Sequence, residues 1–268
     1  MFLSVGSTPS GRLTSPTDTP LANVRLFDRP SLYDPRTAAP IIPKQKFPVL
    51  GWDPILKAMA IAAEFAATGD EWRKNTDPGT PPDPANDIAT LMSYRDYGRS
   101  TRQDEINAQE ATFHDYFAHL LGAMPPSRPH TNVLIWTGIY VASIVASYWK
   151  LKYMRARPVQ VCASVFPCLM TPPHPSYPSG HGLQGVLTAK CVKLVTPSGM
   201  HVSLDTLGAR VGENREYAGV HYPSDTEASR RIAPEVFRIL NDPTLVPEFD
   251  ALVRLAKEEW NEAQDNDC

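Results

Sequence analysis

Residues 150–225 hold three clusters of basic and small residues that decide the fold and the chemistry: Lys150 with Arg157-Pro158, then Pro178-Ser179-Gly180-His181, then Arg215 with His221 and Asp225. Together they supply one lysine, two arginines, two histidines, a hydroxyl, a small-residue turn and a single carboxylate. Because the cations outnumber the carboxylate, this set suits the binding of a tetrahedral oxyanion. The histidines add groups that can transfer a proton or attack as nucleophiles.

The first cluster lies at the end of an apolar segment. Lys150 and Arg157 are seven residues apart, which is about two helical turns, so we expect both on one face of a helix end. Pro158 is expected to end that helix. A lysine and an arginine placed in this way can bind different oxygens of one anion. The alternative is a basic last turn that complements the helix dipole.

The second cluster lies where a proline-rich loop meets a new helix. A helix N-terminus directs free N–H groups at an anion, and Ser179 adds a hydroxyl donor. Gly180 permits a close approach of the backbone, and His181 can carry a proton to or from the bound group. The alternative is a helix cap followed by a surface histidine.

The third cluster places Asp225 four residues after His221. A carboxylate at this spacing can orient the imidazole and raise its basicity. Such a histidine is a good nucleophile or a good axial ligand. The alternative is a junction between two helices in which the aspartate is only a cap.

Apolar periodicity and the positions of proline and glycine predict an all-α fold, a helical bundle. Asp53 is the expected N-cap of the first helix, and Ser100 with Gln103 resembles a capping box. Residues 1–50 contain eight prolines and no sustained periodicity, which predicts an extended arm or a disordered tail. Residues 51–268 are then a single catalytic domain. Its predicted helices span 54–68, 86–97, 100–121, 131–155, 179–195, 204–217, 224–240 and 247–263.

Composition excludes several other classes of protein. The net charge of −3 gives no basic surface for a nucleic acid. The four cysteines form no C-x-x-C pair, so we expect free thiols and no zinc site. Met1–Val5 is too short an apolar run for a signal peptide, so we expect a cytoplasmic protein. The apolar segment Val133–Trp149 is interpreted as a buried core helix and not as a membrane span.

The three clusters together resemble the superfamily of vanadium-dependent haloperoxidases and acid phosphatases, which includes the type 2 phosphatidic acid phosphatases. The family pattern is K-x6-RP, then PSGH, then SR-x5-H-x3-D. This chain matches it at every charged position over about 76 residues and departs from it at Asn214, where serine is usual. The resemblance implies an all-α bundle of the haloperoxidase and acid phosphatase type.

The resemblance also implies a role for each matching residue. Lys150, Arg157 and Arg215 would neutralise the equatorial oxygens of the anion. Ser179 and the Gly180 N–H would donate hydrogen bonds to it. His181 would be the acid–base residue, and Asp225 would orient His221. A carboxylate partner for Arg215 is implied as well, with Asp104, Glu105 and Glu110 as the candidates.

Two chemistries share this set of residues in the family. In the phosphatases, the second histidine attacks phosphorus and forms a phosphohistidine, and no cofactor is needed. In the haloperoxidases, the second histidine, here His221, is the axial ligand of vanadate, and peroxide then oxidises a halide. The small-molecule partners would be a phosphate ester in the first case, and peroxide with a halide in the second.

Flanking residues give the sequence-based preference. His174, seven residues before His181, and Gln184 are similar to the bromoperoxidase version of the loop, in which the extra histidine tunes halide oxidation. Tyr153-Met154-Arg155 is similar to bacterial acid phosphatases, whose length is also closer to that of this chain. We therefore expect a bromide-type haloperoxidase, with an acid phosphatase as the alternative.

Two further expectations remain. A member of the family could bind an oxyanion without catalysing either reaction. The proline-rich arm makes a homo-oligomer the expected assembly, because such arms often lie across a neighbouring subunit. The remaining histidines are expected at the surface, and they are His114, His119, His130 and His201.

Overall fold

The computed structural model describes residues 33–34, 39–40, 52–123 and 127–265. The chain divides into two units, Met1–Pro48 and Val49–Cys268. In the first unit, strand β1 (Tyr33–Asp34) pairs antiparallel with strand β2 (Ala39–Pro40). The rest of the predicted arm lies outside the described residues.

The second unit is a bundle of α-helices, which confirms the predicted all-α class. Short 3-10 turns at Arg99–Arg102, Ala163–Val165 and Ser198–Met200 connect some of the helices. The α-helices are α1 (Pro54–Ala67), α2 (Asp70–Asn75), α3 (Ala85–Tyr97), α4 (Gln103–Leu121), α5 (Pro129–Tyr153), α6 (Pro158–Val161), α7 (Gly180–Val192), α8 (His201–Tyr217), α9 (Pro223–Leu240) and α10 (Pro247–Asp265).

The predicted helix starts are partly correct. Asp53 caps α1 as expected, because its Oδ1 accepts hydrogen bonds from the backbone N–H groups of Ile55 at 2.9 Å and Leu56 at 3.0 Å. The predicted capping box at Ser100 is wrong. A 3-10 turn occupies that segment, and α4 begins at Gln103 without a side-chain cap.

Helix α5 is the central element of the bundle. It packs against α1, α4, α7 and α10, and its buried face includes Val141, Val145 and Trp149. It is long and apolar enough to cross a membrane by length and composition, and 67% of its most apolar window is buried inside the protein. This burial favours the interpretation as a core helix.

The end of α5 differs from the prediction. The helix stops at Tyr153, and Met154 adopts a left-handed conformation with φ of 47°. Pro158 begins α6, where a proline is tolerated because the first helical residue needs no N–H partner. Arg157 is extended because a residue before proline avoids the helical region. Lys150 and Arg157 therefore lie on different elements and not on one helix face.

Helices α7 and α8 approach each other closely through two glycines. A Cβ added to Gly185 would lie 2.4 Å from the Gly208 carbonyl oxygen, and one added to Gly208 would lie 2.6 Å from that of Gly185. Only glycine permits this backbone contact. The contact fixes α7, which carries His181, against α8, which carries Arg215.

Candidate active site

A cavity of about 600 Å³ lies where the C-terminal end of α5 meets the N-terminal end of α7 and the C-terminal end of α8. The two predicted residues that do not line it are Ser179 and Asp225, whose side chains are fully buried. The remaining predicted residues all line it, and they are Lys150, Arg157, His174, Gly180, His181, Arg215 and His221. The structure therefore brings residues from all three sequence clusters together at one site.

Lys150 reaches the cavity from the last turn of α5 and is 6% exposed. Its Nζ donates to the backbone carbonyl oxygens of Pro175 at 2.7 Å and Ser176 at 2.9 Å. Burial and the nearby charge of Arg157 lower the pKa of the Lys150 ammonium to about 7. This cation is bound by dipoles and not by a carboxylate, which leaves its charge available to an anion.

Arg157 has a similar environment on the opposite side. Its Nε donates to the His174 carbonyl oxygen at 2.9 Å, and one terminal nitrogen donates to the Val220 carbonyl oxygen at 2.6 Å. The same nitrogen lies 3.0 Å from Nε2 of His221. Burial lowers the pKa of this guanidinium to about 10, so it stays charged at neutral pH.

Arg215 is 2% exposed. One terminal nitrogen donates to the Ile106 carbonyl oxygen at 2.8 Å, while the buried Nε has no hydrogen-bond partner among the described residues. Burial lowers the pKa of this guanidinium to about 10. A buried donor without a partner is costly, and Arg215 also lines the cavity, where its charge acts on a bound oxyanion.

The expected carboxylate partner of Arg215 is not in contact with it. Among the described residues, no carboxylate lies within 4.0 Å of Lys150, Arg157 or Arg215. Glu105 instead binds Arg210, with the closest contact at 2.5 Å. Glu110, which lines the cavity, is the candidate whose charge acts most strongly on Arg215.

His221 and Asp225 form the predicted pair. Nδ1 of His221 lies 2.9 Å from Oδ2 of Asp225, and both side chains are buried. Because a guanidinium can only donate, Nε2 of His221 accepts from Arg157, and Nδ1 carries the proton that Asp225 accepts. Burial and the charge of Arg157 lower the pKa of the imidazole well below 6.5. His221 is therefore a neutral imidazole whose Nε2 lone pair accepts from Arg157 and whose ring lines the cavity.

Ser179 and Gly180 form the start of α7. The Ser179 Oγ accepts from the Gly182 N–H at 3.1 Å and so caps the helix. The side chain of Ser179 is not part of the cavity wall, whereas Gly180 is. A Cβ on Gly180 would lie 4.0 Å from Cε of Lys150, which shows how close the helix start is to that cation.

His181 lies in the first turn of α7. Its Nε2 donates to the Glu110 carbonyl oxygen at 3.3 Å, and its ring packs edge-on against Phe113 at 5.5 Å between centroids. Burial and the charge of Arg215 lower the pKa of the imidazole to about 3. His181 is thus neutral without a bound anion, and a bound dianion would raise its pKa.

His174 lines the cavity from the loop before α7. Its Nδ1 lies 3.0 Å from a terminal nitrogen of Arg157 and accepts from it. Burial, with the charges of Lys150 and Arg157, lowers the pKa of His174. This histidine therefore helps to orient Arg157.

Two polar residues near the site had no assigned role from the sequence. Arg155, which follows α5, binds Asp225 with its terminal nitrogen 2.7 Å from Oδ1. Asn214 is fully buried and donates to Oε1 of Gln109 at 2.8 Å. The predicted helix continued to Arg155, whereas α5 ends at Tyr153, so only the observed helix end shows where Arg155 lies.

The four remaining histidines lie outside the cavity. His119 is exposed as expected, and His114 and His201 are partly buried. The expected surface position of His130 is wrong, since it is 8% exposed. Its backbone N–H donates to Oε1 of Glu259 at 2.6 Å, which holds the start of α5 against α10.

The mouth of the cavity is apolar. Leu151, Met154 and Met170 line it and are 75%, 63% and 85% exposed. Such large exposed apolar side chains next to a charged cavity indicate a surface that contacts an apolar group.

The chain is similar to a known protein over part of its length. No family model matches the chain. Over 116 residues, it is 31% identical to a protein named non-specific acid phosphatase from Providencia stuartii, a match over 41% of this chain and 45% of that protein. The chain thus spans less than half the length of this relative. The similarity favours the acid phosphatase side of the superfamily that the motifs resemble.

Proposed function

We propose that this chain is a phosphomonoesterase of the acid phosphatase type. The observation that carries the proposal is a group of three buried cations that line the cavity together with His221 and that have no carboxylate within 4.0 Å in the described part of the chain. They are Lys150, Arg157 and Arg215. Buried charges are costly unless they are paired. A phosphate dianion supplies the missing charge, and the acid phosphatase similarity supports phosphate as the group.

The reaction follows from the protonation states of the two histidines. Arg157 exchanges its contact with His221 for a phosphate oxygen, which frees the Nε2 lone pair of His221. Nε2 then attacks phosphorus, the P–O bond to the alcohol breaks, and Asp225 stabilises the positive charge on the imidazole through the Nδ1 proton. The bound dianion raises the pKa of His181, so its Nδ1 takes up a proton from solvent and then gives that proton to the departing alkoxide oxygen. Water attacks the phosphohistidine in the second step, with His181 as the base. The three cations stabilise the charge on the equatorial oxygens in both steps.

The cavity mouth points to the kind of ester. Its exposed apolar side chains Leu151, Met154 and Met170 favour an alcohol portion that is itself apolar. A sugar phosphate would offer these side chains no apolar surface to pack against. We therefore expect a higher kcat/KM for an aryl or alkyl phosphate than for a sugar phosphate.

A vanadate-dependent haloperoxidase is the second candidate. The contact of His174 with Arg157 favours it, since a histidine at this place in the loop carried the sequence-based preference. Lys150, Arg157 and Arg215 would also hold the oxygens of vanadate, and His221 would bind it. When bound, vanadate would supply oxidation of a halide by peroxide.

One experiment separates the candidates. The purified protein and its His221→Ala variant are assayed with 4-nitrophenyl phosphate, and separately with peroxide, bromide and a halogen-accepting dye, each with and without orthovanadate. We expect ester hydrolysis that vanadate inhibits and that His221→Ala abolishes. Vanadate-dependent bromination would instead establish the haloperoxidase. Anion binding without either reaction would leave a binding protein.

A further inference from the structure

Arg155 lies two residues before Arg157 and outside the K-x6-RP pattern, yet it is among the most constrained side chains near the site. One terminal nitrogen donates to Oδ1 of Asp225 at 2.7 Å and to Oγ of Ser224 at 2.8 Å. The other donates to Oδ2 of Asp87 at 3.2 Å. The guanidinium side chain is 8% exposed, and its central carbon lies 3.9 Å from the centre of the Tyr222 ring.

These contacts extend the histidine–aspartate pair into a chain of four charged or polar side chains. His221 binds Oδ2 of Asp225, Arg155 binds Oδ1 of the same carboxylate, and Asp87 binds the far side of Arg155. Asp225 is fully buried. The guanidinium of Arg155 therefore stabilises the charge of this carboxylate strongly. Arg155 does not line the cavity and cannot bind the substrate itself.

We infer that Arg155 is a positioning residue for His221, which it orients by binding the outer oxygen of Asp225. The orienting effect is geometric, since a carboxylate held at Oδ1 presents Oδ2 to Nδ1 of His221 in one rotamer. The charge effect is electrostatic. An uncompensated carboxylate would favour the imidazolium form, in which Nε2 has no lone pair for attack.

The sign of the pH effect depends on every charged group around the pair. Lys150, Arg157, His174 and His181 surround His221, and each opposes its protonation. On the other side, Asp225 is affected by Arg155 and by Lys150, while Asp87 and Glu216 lie behind it. Removing Arg155 takes away one positive charge and leaves the others in place. The pKa of His221 is therefore expected to rise.

The test uses two substitutions of Arg155 and one control. Arg155→Met keeps most of the bulk and removes the charge, and Arg155→Lys keeps the charge but loses the fork. Arg254→Met is the control, because it removes an arginine that is 68% exposed on α10. The direct readout is the pH titration of the His221 imidazole by nuclear magnetic resonance with labelled histidine. The second readout is the pH profile of kcat/KM for 4-nitrophenyl phosphate.

We expect Arg155→Met to raise the pKa of His221 by about one unit or more. The acid limb of the kcat/KM profile should move up by the same amount, and kcat should fall about 10- to 100-fold, the usual effect of losing a group that orients a site ligand. Arg155→Lys keeps the positive charge, so the pKa of His221 should stay close to the wild-type value. Arg254→Met should match the wild type. If Arg155→Met does not fold, Asp87→Asn replaces it, because this variant leaves Arg155 in place. It removes a negative charge, so the pKa of His221 should fall, by less than Arg155→Met would raise it.

The inference fails if the variants change only thermal stability and leave the titration of His221 and the acid limb unchanged. The kinetic readout rests on the proposed phosphatase activity, whereas the titration does not. A wild type without esterase activity would overturn the proposed function, and the titration alone would still decide the role of Arg155.

Discussion

At the residue scale, the site combines two kinds of buried group. Its cations have no carboxylate partner in the part of the chain that the structure describes, whereas His221 is paired with Asp225. Lys150 is bound by two carbonyl oxygens, and Arg215 keeps an unpaired Nε. His221 is held in a single tautomer between Arg157 and Asp225. The protein thus carries the electrostatic cost of the site before an anion binds, which is the arrangement that stabilises charge in a transition state.

Lys150 gives a test that needs no turnover. Its pKa of about 7 means that most of this ammonium is deprotonated at pH 8. A bound dianion raises that pKa, so binding takes up a proton. Calorimetry with sulfate, in buffers of different ionisation enthalpy, should show uptake of up to about one proton at pH 8.

Lys150→Arg is the matched variant, because arginine stays charged at this pH. It should bind sulfate with less proton uptake at pH 8. The difference from the wild type should vanish below about pH 6, where the lysine is already protonated. Equal uptake by both proteins at pH 8 would show that Lys150 does not bind the anion.

The residues of the site could largely be predicted, because each motif states a charge and a spacing. The positions of Ser179 and Arg155 could not. Ser179 has the sequence of an anion donor but caps α7 and is excluded from the cavity wall. The role of Arg155 depends on where α5 ends, and its partners Asp87 and Asp225 are distant in the sequence.

At the element scale, the predicted helix ends depend mainly on the positions of proline and glycine. Asp53-Pro54 predicted the start of α1 correctly. The sequence predicts that Pro158 ends α5, whereas it begins α6. A proline is compatible both with the end of one helix and with the first position of the next. The short helix α2 was not predicted, since its six residues are too few for a periodic pattern.

The crossing of α7 and α8 gives a prediction at this scale. Gly208→Ala places a methyl group 2.6 Å from the Gly185 carbonyl oxygen. Since both helices would have to move apart, we expect a loss of about 1–3 kcal/mol in the free energy of unfolding. Esterase activity should also fall, because Arg215 and His181 lie on the displaced helices.

Gly199→Ala is the control for that measurement, since no atom of the described residues lies within 4 Å of a Cβ at this position. Its free energy of unfolding should stay within about 0.5 kcal/mol of the wild type. Denaturant unfolding of both variants checks the pair. Equal stabilities would mean that the two helices tolerate separation.

At the scale of the whole molecule, α5 organises the fold and leads to the site. Its apolar residues form the centre of the bundle, and its last turn delivers Lys150 to the cavity. The all-α class could be predicted because so many segments show helical periodicity. The expected homo-oligomer and the proline-rich arm stay predictions, since most of residues 1–50 lie outside the described residues.

The most direct measurement is the detection of a phosphohistidine during turnover. The protein is mixed with 4-nitrophenyl phosphate, quenched in alkali and analysed by mass spectrometry. We predict phosphate on His221 in the wild type and none in His221→Ala. More should accumulate in His181→Ala, because this ester has a good leaving group while water still needs a base. Ester hydrolysis without a phosphorylated His221, or with phosphate on another residue, would contradict the proposed role of the site.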